Sequence, residues 1–297
     1  MYSVLSDSED SLVKKATYLR IVARDLADGM KSGNFRSLYR GQGIEFSGVR
    51  DYIRGDDIRS IDWNVTARMG RPYVKIFEEE RELQIFLIVD RSLSMQVGSY
   101  GKTKYDITAE TAALLTIAAE MNNCPLGAVF FDGEIHFSCT PQLGRERTML
   151  VLTHLDKVPE NKVAGSVLSN AIKGAAKMLT KRSMVIILSD FRSVDWQKPM
   201  VTLAHENDVI AIRVKDKMDE ELPRLGSVPF TDCETGETII LPSSSETFQK
   251  EWRKQNEKNV KEFQDFCIKH GVYAATLDTT SEPLQLLCSI FNSAKQG

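Results

Sequence analysis

Asp90, Ser92 and Ser94 stand at alternate positions in the run Asp90-Arg91-Ser92-Leu93-Ser94-Met95. A carboxylate and two hydroxyls in one tight loop make a hard oxygen donor set, suited to Mg²⁺ or Mn²⁺ rather than zinc. Two other short stretches carry the same chemistry: Gly165-Ser166, and Ser189-Asp190-Phe191. Brought together, Asp90, Ser92, Ser94, Ser166 and Asp190 would surround a single divalent ion. Mg²⁺ keeps several of its waters, so few protein groups need reach it and a position stays open. With the serines neutral, and Asp190 acting directly or through water, the ion would keep positive charge and attract a carboxylate from another molecule. For an isolated D-x-S-x-S the simpler account is that the serines cap the next helix, so the elements around these residues decide.

Ile85-Phe86-Leu87-Ile88-Val89 leads straight into Asp90, and Met184-Val185-Ile186-Ile187-Leu188 leads into Ser189-Asp190. Unbroken apolar runs rich in β-branched residues read as strands buried on both faces. From Leu83 onward strands alternate with helices. Strands are expected at 83–89, 127–131, 134–137, 184–188, 209–214 and 272–277. Helices are expected at about 105–121, 145–155, 167–179, 196–206, 246–270 and 282–292. This alternation predicts a doubly wound, mostly parallel α/β sheet covered on both faces. All parallel strands then end on one edge, where ligands bind. A hairpin near 226–242 turns through Asp232-Cys233-Glu234-Thr235-Gly236.

Before this domain, residues 9–30 show helical spacing (Leu12, Ala16, Leu19, Val22, Leu26, Met30), with Ser6 and Glu9 as a capping box and Gly33 as a stop. Residues 34–70 are rich in Gly and Arg and lack periodicity, so irregular structure with short strands is expected, followed by an edge strand at 73–77. The expected division is 1–81, an amino-terminal helix plus the Arg/Gly-rich segment, and 82–297, the α/β domain with its hairpin.

Composition excludes several classes. Apolar content of 42%, charged content of 27% and a formal charge of −3 are ordinary for a soluble globular chain. The polar, acidic first ten residues do not read as a secretory signal, and no apolar run approaches the roughly 20 residues of a membrane span. Five scattered cysteines with no C-x-x-C pair point to a reducing, cytoplasmic setting. Arg36, Arg40, Arg50, Arg54, Arg59, Arg68 and Arg71 are interleaved with Glu45, Asp51, Asp56, Asp57 and Asp62. Mixed signs suggest an internal ion-pair network, with Trp63 and Tyr52 packed beneath it, and not a nucleic-acid face.

Other chemistries are weaker. A Mg²⁺-dependent phosphohydrolase using Asp90 is the alternative, but position 92, two residues after Asp90, is Ser rather than a second Asp. His136, His154, His205 and His270 are expected to lie singly, away from the candidate edge. Gly101-Lys102-Thr103 lacks the upstream glycine of a phosphate loop, since that position is Gln96. Lys102 is expected to be solvated, with Thr103 or Asp106 at the helix start.

The three-loop pattern resembles the metal-ion-dependent adhesion site of von Willebrand factor A domains, in which D-x-S-x-S, a hydroxyl residue and an Asp hold a metal that bridges to an acidic side chain of a partner. The usual second-loop threonine is Ser166 here. Upstream, Tyr39-Arg40-Gly41-Gln42-Gly43-Ile44-Glu45-Phe46, Val49-Arg50-Asp51-Tyr52, Gly55-Asp56-Asp57-Ile58-Arg59, Ile61-Asp62-Trp63 and Ala67-Arg68 resemble the bacterial domain-of-unknown-function-58 family. That resemblance implies a von Willebrand A-like domain, no catalysis, a divalent metal, and partnership with a MoxR-type AAA+ ATPase and a client protein in assembly or remodelling. Many relatives carry amino-terminal membrane spans, which this sequence does not show.

Overall fold

The computed structural model describes residues 23–24, 26–30, 45–78, 83–99, 101–157, 166–231 and 238–293. The expected capping box at Ser6 and Glu9, most of the amino-terminal helix, Tyr39–Ile44, Gly165 and the tip of the later hairpin lie outside these residues. The chain divides into two compact units, Gly33–Glu82 and a larger one formed by Met1–Ser32 with Leu83–Gln296. Helical residues near 23–30 therefore group with the α/β unit, whereas the sequence placed that helix with the Arg/Gly-rich segment. Asn122 Nδ2 donates to the Ala27 carbonyl at 3.0 Å, and Ala23 and Leu26 are fully buried.

The larger unit is built on a six-stranded sheet. Its strands are β3 (Ile85–Asp90), β4 (Leu126–Phe131), β5 (Ile135–Gln142), β6 (Met184–Ser189), β7 (Asp208–Lys215) and β10 (Tyr273–Asp278), in the spatial order β10-β7-β6-β3-β4-β5. All neighbours are parallel except β4 and β5, which form the expected hairpin. Every residue of β3, β4 and β6 is buried, so their sequences read as apolar runs without alternation.

Helices α2 (Lys104–Met121), α3 (Arg145–Asp156) and α8 (Pro283–Ser293) pack together on one face. The other face carries α4 (Leu168–Met178), α5 (Gln197–Glu206) and α7 (Glu246–Lys269), and α6 (Lys217–Glu220) is a single turn after β7. Phe86, Ile88, Val185 and Ile187 from the sheet meet Leu168, Ile172, Met200, Leu203 and Phe263 on that side. A separate hairpin, β8 (Ser227–Thr231) with β9 (Thr238–Pro242), stands where the sequence placed it. Among the described residues no helix is long and apolar enough to cross a membrane.

The smaller unit contains β1 (Glu45–Asp51), antiparallel to β2 (Tyr73–Glu78). A 3₁₀ turn at Ile58–Ser60 and the helix α1 (Trp63–Met69) lie between them. Asp57 and Asp62 cap the turn and the helix through backbone N–H groups of Arg59, and of Asn64 and Val65. Of the expected ion pairs, Arg50 grips Asp56 in bidentate fashion at 2.6 and 2.8 Å. With the Ile53 N–H assisting, that contact draws Asp56 down to about 2. Trp63 does not pack beneath this network: it is 65% exposed. It opens a two-turn helix with no buried residue, too short to present a core-facing stripe.

Candidate functional site

Strands β4 and β5 extend the sheet to one side of β3, and β6, β7 and β10 extend it to the other. The carboxyl ends of β3 and β6 thus flank the switch point, where a doubly wound sheet leaves a crevice for ligands. Asp90 terminates β3 and Asp190 follows β6, both almost completely buried. Asp90 Oδ1 accepts the Ser92 N–H at 2.9 Å, and its Oδ2 accepts the Ser189 hydroxyl at 2.6 Å.

Ser92 stands at the N-cap of a 3₁₀ turn, Leu93–Gln96, yet its side chain makes no capping hydrogen bond. Its Oγ lies 3.1 Å from Ser94 Oγ, both residues being buried. The helix-cap account of D-x-S-x-S therefore fails for Ser92. The cap of α2 is Thr103, in a reciprocal capping box with Asp106. Lys102 is largely solvated, 3.5 Å from Glu110.

Ser166 reaches the same edge from a third loop. Val167 N–H donates to the Asp132 carbonyl at 2.8 Å, just beyond β4, and the Ser166 hydroxyl is buried with no hydrogen-bond partner among the described residues. Asp132 also sits 2.5 Å from His136 Nε2, so His136 belongs to this edge and is not remote from it. His154 instead stacks on Phe137 at 3.9 Å, and His270 ends α7 against Phe266.

Lys104, the first residue of α2, is a buried charge beside the candidate site that the sequence reading did not single out. It is 1% exposed and its Nζ lies 2.7 Å from Asp190 Oδ2, with Asp219 at 3.8 Å. Arg192 adds a backbone N–H to Asp190 Oδ1 at 3.2 Å and a side-chain contact to Asp219 at 2.6 Å. The two buried carboxylates consequently behave differently. Burial, and then the charge of Asp190, push Asp90 up to about 7. Burial acts the same way on Asp190, but the Lys104 ammonium and Arg192 outweigh it and hold Asp190 below the usual carboxylate value.

The donor set fits a hard divalent ion through Asp90, Ser92 and Ser94. Two oxygens on adjacent vertices of a Mg²⁺ octahedron lie about 3.0 Å apart, close to the 3.1 Å between the two hydroxyls. The Ser166 hydroxyl, without a hydrogen-bond partner among the described residues, would be a further neutral donor. Asp190 already shares its charge with Lys104, which suits it to a contact through water. Among the described residues no group of three or more His, Cys, Asp or Glu side chains is arranged for a metal.

The chain is similar in sequence to other bacterial proteins. The uncharacterized protein Mb1516 of Mycobacterium bovis is 33% identical over 238 residues, covering 78% of this chain and 75% of that protein. The uncharacterized protein Rv1480 of Mycobacterium tuberculosis gives the same figures. Among solved structures, the conserved hypothetical protein BatB from Bacteroides thetaiotaomicron aligns with a TM-score of 0.46 at 15% identity, over 72% of this chain and all (100%) of that one. The VWA domain of SpRpn10 aligns with a TM-score of 0.38 at 11% identity, over 73% of this chain and 98% of that one. The family model described as protein of unknown function DUF58 matches residues 48–262, most of both units, and the chain belongs to that family.

Proposed function

We propose that the protein is a non-catalytic adaptor that grips an acidic side chain of a client protein through a divalent ion, Mg²⁺ or Mn²⁺. Asp90, Ser92 and Ser94 would hold the ion, Ser166 would assist, and Asp190 would act mainly through water. When bound, the ion supplies a positive centre with an open position for a partner's carboxylate. The observation that carries this proposal is the set of buried hydroxyls, Ser92, Ser94 and Ser166, left uncommitted to helix caps beside a buried carboxylate. The family resemblance supports a MoxR-type AAA+ ATPase as the working partner, in the cytoplasm, during assembly or remodelling of the client.

Calorimetric titration with Mg²⁺ and Mn²⁺ tests the grip. Saturable binding by the native chain, lost in Asp90→Ala and weakened in Ser92→Ala, is expected. Binding that survives Asp90→Ala in a folded variant would sink the site. A pull-down performed with and without chelator tests the bridge: identical captured proteins in both arms would dismiss it. Steady hydrolysis of phosphoesters that disappears in Asp90→Asn would favour the phosphohydrolase alternative instead.

A further inference from the structure

The connection between β1 and β2, residues 52–72, is pinned to the strand that follows it. Asp62 N–H donates to the Tyr73 carbonyl at 2.8 Å, Tyr73 N–H to Thr66 Oγ1 at 2.9 Å, and Tyr52 N–H to the Pro72 carbonyl at 2.9 Å. This fixed segment turns its large apolar side chains outward. Ile53, Ile58, Trp63 and Met69 are 64%, 65%, 65% and 58% exposed, and across residues 48–76 only Val74 is buried. Trp63 and Met69 stand at the two ends of α1, about 9 Å apart along its axis, and Ile58 opens the 3₁₀ turn just before it. A single exposed apolar residue is ordinary, whereas several in one short segment mark an interaction site.

Arginines specify what the segment would meet. Arg54, Arg59, Arg68 and Arg71 are all exposed, and among the described residues none of them has an ion pair or a side-chain hydrogen bond. The neighbouring carboxylates are engaged elsewhere: Asp56 grips Arg50, and Asp57 and Asp62 accept backbone N–H groups as caps. Each free guanidinium is a planar fork that fits a carboxylate with two parallel hydrogen bonds. Arginine and tryptophan are also the side chains that most often anchor protein interfaces. A phosphate backbone requires a one-sided positive field. Exposed Asp51 and Asp57 interrupt any such field here, and Glu78-Glu79-Glu80 follows directly. Ile53, Ile58 and Met69 give bases no surface to stack on, which leaves Trp63 as a lone platform.

We propose that residues 52–72 form a docking surface for an acidic amphipathic segment of a different protein. The partner's apolar side chains rest on Ile58, Trp63 and Met69, and its carboxylates are met by the adjoining Arg59 and Arg68. Because the backbone hydrogen bonds already fix the segment, little ordering entropy is lost on docking. The surface uses no metal and belongs to the smaller unit, whereas Asp90 belongs to the larger one, so it does not depend on the grip proposed above.

The full chain, kept in chelator so that no divalent ion contributes, is titrated against a fluorescently labelled helical peptide with Leu along one face and Glu flanking it. Fluorescence anisotropy should show saturable binding. The same peptide with Gln in place of Glu, and a scrambled peptide of the same composition, should each bind about tenfold more weakly or worse. Trp63→Ala, and Arg59→Gln combined with Arg68→Gln, should each weaken binding by about tenfold or more. Melting temperatures should stay unchanged, because these side chains are exposed. Equal binding of the Gln or scrambled peptide, tighter binding of a single-stranded DNA oligomer, or no saturable signal overturns the proposal. A lowered melting temperature in Trp63→Ala would mean that the chain itself covers this side chain, and overturns it too. A dimer of the native chain that Trp63→Ala dissolves would assign the surface to a second copy, with the same result. The peptide comparisons use the native chain, so they stand whether or not the variants fold.

Discussion

The Lys104 ammonium lies 2.7 Å from the Asp190 carboxylate, and both side chains are withdrawn from solvent. Breaking such a pair by removing one partner leaves an uncompensated buried charge and costs about 3–5 kcal/mol. Lys104→Met should therefore lower stability by about that amount in urea unfolding, and adding Asp190→Asn should restore most of it. Mg²⁺ should stabilise Lys104→Met more than the native chain, because the ion can then approach Asp190 without a competing ammonium. Equal stabilisation of both would separate Asp190 from the metal site.

Ser166 should affect binding without affecting folding. Its hydroxyl is buried and has no partner among the described residues, so its removal releases an unsatisfied group and should leave stability unchanged or raised. Ser166→Ala should nevertheless weaken Mg²⁺ binding roughly tenfold, a loss typical of removing a supporting contact at a metal site. Ser166→Thr keeps the hydroxyl and should retain affinity. Calorimetry on the three proteins checks this, and equal affinities would remove Ser166 from the donor set.

Asp216 sets a pH dependence away from the metal ligands. Burial acts to raise it, but hydrogen bonds from Thr279 Oγ1 at 2.6 Å, Ser99 N at 2.9 Å and Met218 N at 2.9 Å outweigh burial and hold it below its usual value of 3.8. A depressed carboxylate contributes stability that is complete above the unfolded value and is lost as pH falls through the folded one. Melting points taken from about pH 5 down past about pH 3 should fall in the native chain, with part of that slope missing in Asp216→Asn. The variant should also be the less stable protein near neutrality.

Gly98 guards the loop between the 3₁₀ turn and α2. A Cβ there would stand 2.0 Å from the Lys102 carbonyl oxygen and 2.5 Å from Thr103 Cα, and neither backbone atom can rotate aside. Gly98→Ala should cost about 1–3 kcal/mol, the usual range for overpacking. Through the bond from Lys104 N–H to the Val97 carbonyl at 3.1 Å it should also displace Lys104 and weaken Mg²⁺ binding. Urea unfolding and calorimetry on one sample read both effects.

The sheet was legible because its inner strands are buried on both faces and so appear as apolar runs, with β3 and β6 located to within a few residues. Asp90 and Asp190 followed from their places at the ends of those runs. Lys104 was not legible. It stands two residues from Lys102, and lysine is by default a solvated residue; nothing local shows that the first turn of α2 points into the sheet edge. Most of α2 is buried, which removes the two-faced pattern that would have marked Lys104 as an exception. In the smaller unit, α1 escaped notice because none of its residues is buried, leaving only the Asp62 cap as a signal.

Asp216 joins Ser99, 117 residues before it, to Thr279, 63 residues after it. Chain growth on the ribosome runs from the amino end, so Asp90, Ser92, Ser94 and Lys104 emerge well before the strand that completes this clasp. Contacts of such long sequence separation form late and slowly. A chain truncated before β10 would hold every oxygen of the proposed grip but lack the Thr279 hydroxyl that, with Ser99, ties down Asp216.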